Sequence, residues 1–74
     1  MSDFCERLKE VRLEHGMSVR EFAEALNTSN GTISKYENNV HSPSIEFVKQ
    51  VALTFFVSID WLVGISDKKN LYKK

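Results

Sequence analysis

The sequence predicts a single all-α domain built from five short helices. Apolar residues recur every three or four positions in successive segments, which is the period of an amphipathic helix. Serine, threonine, glycine and asparagine stand where such helices would begin and end, and no segment shows the alternation of a strand. Of the 74 residues, 42% are hydrophobic, which is enough for one folded domain rather than a disordered chain.

The first helix is expected over about residues 3–15. Its apolar residues Phe4, Leu8 and Val11 follow i, i+4, i+7 spacing, so they share one face. Gly16 follows this pattern and can adopt the left-handed conformation that commonly ends a helix.

The second helix is expected over about residues 19–26. Ser18 precedes it and Glu21 lies three positions further on, which is the spacing of a capping box. Its apolar face consists of Val19, Phe22, Ala23 and Leu26. Asn27 follows, and asparagine is one of the few non-glycine residues that tolerate a left-handed backbone, so a sharp turn is expected there.

The third segment is expected to be a short helix with a narrow apolar face. Thr28 or Ser29 can cap it, and its two apolar anchors, Ile33 and Tyr36, lie three positions apart. The remaining face is polar and comprises Asn30, Gly31, Thr32, Ser34 and Lys35. Such a face is poorly suited to a core and well suited to contact a hydrophilic partner.

The fourth helix, over about residues 45–55, is expected to contribute to the core. Ser44 caps it. Its buried stripe is expected to comprise Ile45, Val48, Val51, Ala52 and Phe55. A last short helix, over about residues 59–63, follows Ser58 and ends at Gly64.

Charge divides the chain into a body and a tail. The formal net charge is zero, but residues 1–66 hold six Lys and Arg against nine Asp and Glu, which leaves the body at −3. We therefore expect a domain over residues 1–66 and a basic flexible tail over residues 67–74, which either contacts a DNA backbone or serves as a solubilising end. With few cations in the body, non-specific affinity for nucleic acid is expected to be low and to weaken with salt.

Several classes of function are disfavoured by the residues present. The single cysteine, Cys5, forms no internal disulfide, and together with His15 and His41 it offers no metal-ligand spacing. No set of histidine, serine and carboxylate lies on rigid elements around a cleft, so neither catalytic residues nor a cofactor are expected. There is no apolar run of about 20 residues and no signal peptide, which predicts a cytoplasmic protein without a membrane partner.

The second and third helices have the arrangement of a helix-turn-helix over about residues 19–38. They are joined by a turn of about three residues. Ala23 lies where only a small side chain lets two helices approach closely, and Leu26, Ile33 and Tyr36 anchor the third helix on the body. The polar face of that helix is then free to enter a major groove.

The order and spacing of four stretches resemble the lambda-repressor-like helix-turn-helix family of Cro and repressor type, also called XRE, of prokaryotes and phages. These stretches, which span about residues 4–64, are FCERLKEVRLEHGMSVREFAEAL, TISKYEN, PSIEFVKQVA and VSIDWLVG. The resemblance implies a compact five-helix DNA-binding domain with double-stranded DNA as its partner. It further implies a transcriptional regulator, expected to be a repressor, that binds a palindromic operator as a homodimer with its third helix in the major groove.

The resemblance also assigns roles to individual residues. Base readout is expected at Asn30, Gly31, Thr32, Ser34 and Lys35, where asparagine suits adenine, lysine suits guanine and glycine offers no side chain. Phosphate contacts are expected at Ser18, Arg20, Ser29 and Asn38, where helix amides assist the serines. Val19 stands where the family commonly has glutamine, so one contact is expected to be missing.

Related proteins imply an internal ion pair between Arg12 and Glu37, the alternative being that both side chains are exposed and unpaired. A surplus of apolar residues on the fourth and fifth helices favours a dimer interface, expected at Phe47, Leu53, Phe56 and Trp61. The alternatives are singly exposed residues and, for Trp61, a place in the core. A second functional hypothesis is a protein-interaction module of the same fold, such as an antitoxin-like or anti-repressor partner, which the acidic body and the missing glutamine support.

Overall fold

The computed structural model describes residues 2–69 and shows five α-helices in that part of the chain. They are α1 (Ser2–Glu14), α2 (Val19–Ala25), α3 (Asn30–Glu37), α4 (Ile45–Phe55) and α5 (Ile59–Leu62). Helix α3 packs against α1 and α2, while α5 packs against α1 and α4. The predicted all-α architecture is confirmed. None of the helices within residues 2–69 is long and apolar enough to cross a membrane.

A serine caps the N-terminus of each of the helices α2 to α5. The serine Oγ accepts a hydrogen bond from the backbone N–H three residues further on, at 3.1 to 3.3 Å. The four residues are Ser18, Ser29, Ser44 and Ser58. Because the first amides of a helix have no partner within the helix, one such cap contributes about 1 kcal/mol. The sequence allowed Thr28 or Ser29 as the cap of α3, and in the structure Ser29 caps it.

Each of the five helices is followed, one or two positions after its last residue, by a residue in the left-handed conformation. These residues, with φ between 57° and 94°, are Gly16, Asn27, Asn39, Phe56 and Gly64. The next residue in each case donates its N–H to the carbonyl five positions earlier, at 2.9 to 3.2 Å, which is the closure of a Schellman motif. Phe56 differs from the other four, which are glycine or asparagine, because a left-handed conformation costs most residues with a Cβ roughly 1–2 kcal/mol.

The core lies where α1, α2, α4 and α5 face one another, with one residue of α3 inserted. Its buried residues are Phe4, Leu8, Val11, Phe22, Ala23, Leu26, Ile33, Val48, Val51, Ala52, Val57, Trp61 and Leu62. Fully burying a large apolar side chain contributes roughly 1.5–3 kcal/mol, so this cluster is the main source of stability in the part of the chain that the structure describes.

Three apolar residues lie elsewhere than the sequence predicts. Ile45, expected in the buried stripe, is 63% exposed because it is the first residue of α4, one turn before Val48, where the core begins. Phe47, expected at a dimer interface, is half-buried because its ring reaches Tyr36, with 4.5 Å between the ring centroids. For Trp61 the sequence left the dimer interface and the core open, and the side chain, only 5% exposed, belongs to the core.

The segment after α5 returns to α1, and residues 66–69 form what we call the C-terminal clasp. The backbone N–H of Ser58 donates to the Lys69 carbonyl at 2.7 Å, and Lys69 Nζ lies 5.0 Å from the centroid of the Trp61 ring. The ammonium group forms ion pairs with Glu14 and, at 2.9 Å, with Glu10. Burial lowers the pKa of Lys69, but the hydrogen bonds and charges of the two glutamates outweigh it and raise the pKa above 10.5.

Arg7 holds the clasp from its other end. Its Nη1 donates to the carbonyls of Trp61 and, at 3.1 Å, Ser66, and its Cζ lies 5.0 Å from the Trp61 ring centroid. The predicted basic tail, residues 67–74, is thus described only as far as Lys69, where it contacts α1. Residues 70–74 lie outside the described residues, so their expected looseness stays a prediction.

Candidate nucleic-acid interface

Helices α2 and α3 are joined by a tight turn over residues 26–29. Asn27, with φ 58°, turns the chain, and Ser29 begins α3. Gln50 of α4 supports this turn, because its Nε2 donates to the Leu26 carbonyl at 2.9 Å and satisfies a carbonyl at the end of α2. Sequence reasoning missed Gln50, since a polar residue on an exposed helix face gives no local sign of a contact 24 positions away.

Helix α3 is fixed to the body from its inner side. Ile33 is fully buried. The Glu37 carboxylate accepts two hydrogen bonds from Arg12, from Nε at 2.7 Å and from Nη2 at 3.2 Å. Arg12 also donates to the Met17 carbonyl at 3.0 Å, and the side chains of the pair are only 12% and 8% exposed. The predicted ion pair between α1 and α3 is therefore confirmed.

The outer side of α3 carries the five residues expected to read bases. Asn30, Gly31 and Lys35 are exposed, while Thr32 and Ser34 are half-buried. The Thr32 hydroxyl lies 2.9 Å from the Ser29 hydroxyl, so the two share a hydrogen bond. Lys35 forms no ion pair with any residue from 2 to 69, which leaves its charge for an external group. One helix thus presents hydroxyl, amide and ammonium groups together.

The residues expected to contact phosphate lie at or near the ends of α2 and α3. Ser18 and Ser29 accept backbone hydrogen bonds as caps. The Ser18 hydroxyl keeps its own hydrogen as a donor, while the Ser29 hydroxyl shares a hydrogen bond with that of Thr32. Arg20 is 78% exposed and lies 3.6 Å from Glu24, a surface pair that is weak in water. Asn38 is exposed directly after α3.

Few cations are available on this side of the molecule. Arg7 and Arg12 are engaged in internal contacts. The cations that remain available near α2 and α3 to bind an anion are Arg20 and Lys35. An anion bound here would therefore rely largely on hydroxyl and amide donors, which lie at the beginnings of the two helices.

A second exposed surface runs along α4, and we call Ile45, Leu53 and Phe56 the α4 stripe. They are 63%, 68% and 61% exposed. Ile45 and Leu53 lie eight positions apart on α4, about 80° apart around the helix axis, and Phe56 follows the last residue of α4 in the left-handed conformation. Phe47 and Trp61 do not join this surface, since both pack inward. Within residues 2–69 no group of His, Cys, Asp and Glu is placed to hold a metal ion.

Comparison with known proteins adds a family match. The sequence model of a family described as helix-turn-helix matches residues 8–62. Over 66 residues the chain is 36% identical to the HTH-type transcriptional regulator ImmR of Bacillus subtilis, covering 86% of this chain and 52% of ImmR. Over 73 residues it is 36% identical to the repressor protein CI of Enterobacteria phage phi80, covering 96% of this chain and 30% of CI.

A solved structure is also similar. A crystal structure of SinR, the master regulator for biofilm formation, in complex with DNA matches with a TM-score of 0.74 and 33% identity, covering 81% of this chain and 97% of that one. The chain spans little more than half the length of two curated relatives that it matches, 52% of ImmR and 58% of SinR from Bacillus licheniformis. The names describe regulators of transcription and not enzymes, in agreement with the non-enzymatic domain that the sequence predicts.

Proposed function

Because the chain belongs to the lambda-repressor-like helix-turn-helix family, we propose that it is a transcriptional regulator that binds double-stranded DNA in a sequence-specific manner through α3. The contrast between the two sides of that helix carries the proposal. Ile33 and the Arg12–Glu37 pair hold the inner side rigidly, while the outer side is polar and exposed. A major groove admits such a helix and offers donors and acceptors that distinguish all four base pairs. A cytoplasmic location is part of this proposal.

Individual roles follow from the chemistry of the outer side. Asn30 can donate to and accept from adenine, and Lys35 can donate to the O6 and N7 of guanine. Gly31 lets the helix backbone approach the bases, and Thr32 and Ser34 supply hydroxyl and methyl contacts. Ser18, Arg20, Ser29 and Asn38 lie where contacts to phosphate would set the register of α3 on the duplex.

We further propose that two copies pair through the α4 stripe and bind a palindromic operator, where they act as a repressor. Three large exposed apolar residues on a small domain favour self-association, and a two-fold pair presents two equivalent copies of α3. Two recognition helices about 34 Å apart would reach successive major grooves on one face of B-DNA. Leu53 and Phe56 are the members of the stripe that the sequence singles out.

Selection of duplexes from a random library at two salt concentrations tests DNA recognition. We expect a two-fold symmetric sequence to be enriched. With Arg20 as the cation expected on phosphate in each subunit, a dimer neutralises about two phosphates, so the logarithm of affinity should fall against the logarithm of salt concentration with a slope of roughly −1.8. Absence of any enriched sequence, with the protein folded, would contradict the proposal.

Sedimentation equilibrium tests the dimer. Phe56→Glu places a charge in the α4 stripe and is expected to yield monomers that bind the selected duplex more weakly. Leu13→Glu is the matched control, because Leu13 is an equally exposed apolar residue, at 59%, on α1. If both variants remain dimers, the α4 stripe is not the interface.

A protein-interaction module of the same fold is the second candidate. The body charge of −3 over residues 1–66 and the exposed α4 stripe favour a protein partner over a polyanion. A folded dimer that enriches no duplex, yet loses self-association in Phe56→Glu, would favour this candidate.

A further inference from the structure

A cavity of about 310 Å³ opens at the C-terminal end of α3. Its lining consists of Thr32, Lys35 and Tyr36 from α3, and His41 and Ser42 from the loop that follows. Every one of these side chains carries an N–H or O–H donor, and no carboxylate lines the cavity. A cavity with this lining suits an anion.

The fold itself brings His41 to this place. Asn39, with φ 59°, turns the chain, and the N–H of Val40 donates to the Lys35 carbonyl at 2.9 Å. The next residue, His41, therefore emerges beside the last turn of α3. Because this closure uses backbone groups only, replacing the His41 side chain leaves the turn intact. His41 is exposed, and its ring makes no hydrogen bond or ion pair with residues 2–69.

Charge completes the site when the histidine is protonated. Lys35 and Tyr36 are the other titratable residues that line the cavity, so the fixed charge there is the Lys35 ammonium. A protonated His41 supplies a second cation to the cavity beside Lys35. Two cations and three hydroxyls around one cavity match a phosphate group.

We propose that this cavity receives a backbone phosphate of bound DNA and that His41 makes the affinity for DNA depend on pH. The inference rests on the proposed function. Lys35 and Thr32 belong both to the cavity and to the outer side of α3, so a phosphate in the cavity lies next to the groove that α3 enters. His41 was not among the contacts expected from the sequence.

The sign of the pH dependence follows from linkage. A phosphate favours the charged form of a histidine, so binding takes up a proton near the pH range where histidines titrate, about 6.5. Affinity is therefore high below this range and falls as the pH rises through it. The effect is independent of base sequence, because phosphates carry no sequence information directly.

Titration of DNA affinity between pH 5.5 and 8 tests the inference. The probes are the duplex enriched by selection and a random duplex, in buffers without phosphate and at matched ionic strength. The wild-type chain is expected to lose about tenfold or more in affinity for both duplexes as the pH rises. His41→Gln should bind equally at both extremes, with the affinity of the wild type at pH 8.

The second histidine provides the matched control. His15 contacts the Val11 carbonyl at 2.9 Å and the Phe55 ring, away from the cavity, so His15→Gln should retain the wild-type pH dependence. If His41→Gln keeps that dependence, or if the wild type binds equally at pH 5.5 and 8, the inference is wrong although the proposed function stands. If the wild type binds neither duplex at any pH, the proposed function itself fails.

Discussion

Replacing Glu37 with leucine removes the carboxylate that fixes α3 to α1. In the structure this carboxylate accepts two hydrogen bonds from Arg12, and both side chains are nearly buried. Glu37→Leu leaves the guanidinium with the Met17 carbonyl as its remaining partner among residues 2–69. The variant thus tests whether one internal ion pair holds α3 in position.

The expected loss is a large part of the stability of the domain. Removing one partner of a buried ion pair costs roughly 3–5 kcal/mol. Because Arg12 keeps one hydrogen bond and 12% of its side chain meets water, we expect the lower end of this range, about 3 kcal/mol. A domain of this size has a free energy of unfolding on the order of 4–11 kcal/mol. The midpoint of thermal unfolding should fall by roughly 12 °C or more.

Urea unfolding followed by far-ultraviolet circular dichroism measures this loss. Glu24→Leu is the matched control, because it breaks the exposed pair with Arg20 on α2 and should cost less than about 1 kcal/mol. The double variant Arg12→Met with Glu37→Leu removes both charges and should recover most of the stability. If Glu37→Leu unfolds within about 1 kcal/mol of Glu24→Leu, the ion pair does not hold the helix and the reasoning is refuted.

Three further changes give separate tests. Lys35→Ala should lower the preference for the selected duplex over a random one by about 1–3 kcal/mol in a binding titration. Lys49→Ala, on α4, is the control and should leave this preference unchanged. An equal loss of affinity for both duplexes would show that Lys35 contacts phosphate instead of a base. Phe56→Gly removes the cost of holding a phenylalanine in the left-handed conformation. The diluted monomer should therefore unfold at the same or a higher urea concentration than the wild type, even though it dimerises less. A clear loss of stability would show that the Phe56 ring stabilises the monomer. The pKa of Lys69 is raised in the fold, so its contribution to stability is complete below the unfolded value and is lost as pH rises through the folded one. Above about pH 10.5 the wild type should therefore lose more stability than Lys69→Met. Identical losses in the two proteins would exclude the clasp as the cause.

Local features of the fold could be predicted because they depend on neighbouring residues. A serine before an apolar period marks a helix start, and Ser18 with Glu21 forms the predicted capping box with distances of 2.9 and 3.1 Å. Asn27 was expected to be left-handed on the same kind of evidence, and it is. The exposed side of α3 was predictable because only two apolar residues interrupt its polar sequence.

Contacts between distant segments could not be predicted in this way. Gln50 supports the turn before α3, and Lys69 returns to α1 across 59 positions, yet neither belongs to a local period. Phe47 was expected at a dimer interface, yet its ring packs against the core, and for Trp61 the sequence left the interface and the core open. A long aromatic side chain can reach the core from a position beside the buried face of its helix. The left-handed conformation of Phe56 has no counterpart in residue preference, since aromatic residues rarely adopt it.

The clasp gives the molecule an internal optical probe. Trp61 is the one tryptophan of the chain, and it is nearly buried with Arg7 and Lys69 each 5.0 Å from its ring centroid. Indole emission responds to nearby charge and to water, so release of the clasp would change the fluorescence before the helices unfold. Recording fluorescence and circular dichroism on the same sample would thus distinguish opening of this one segment from unfolding of the whole domain.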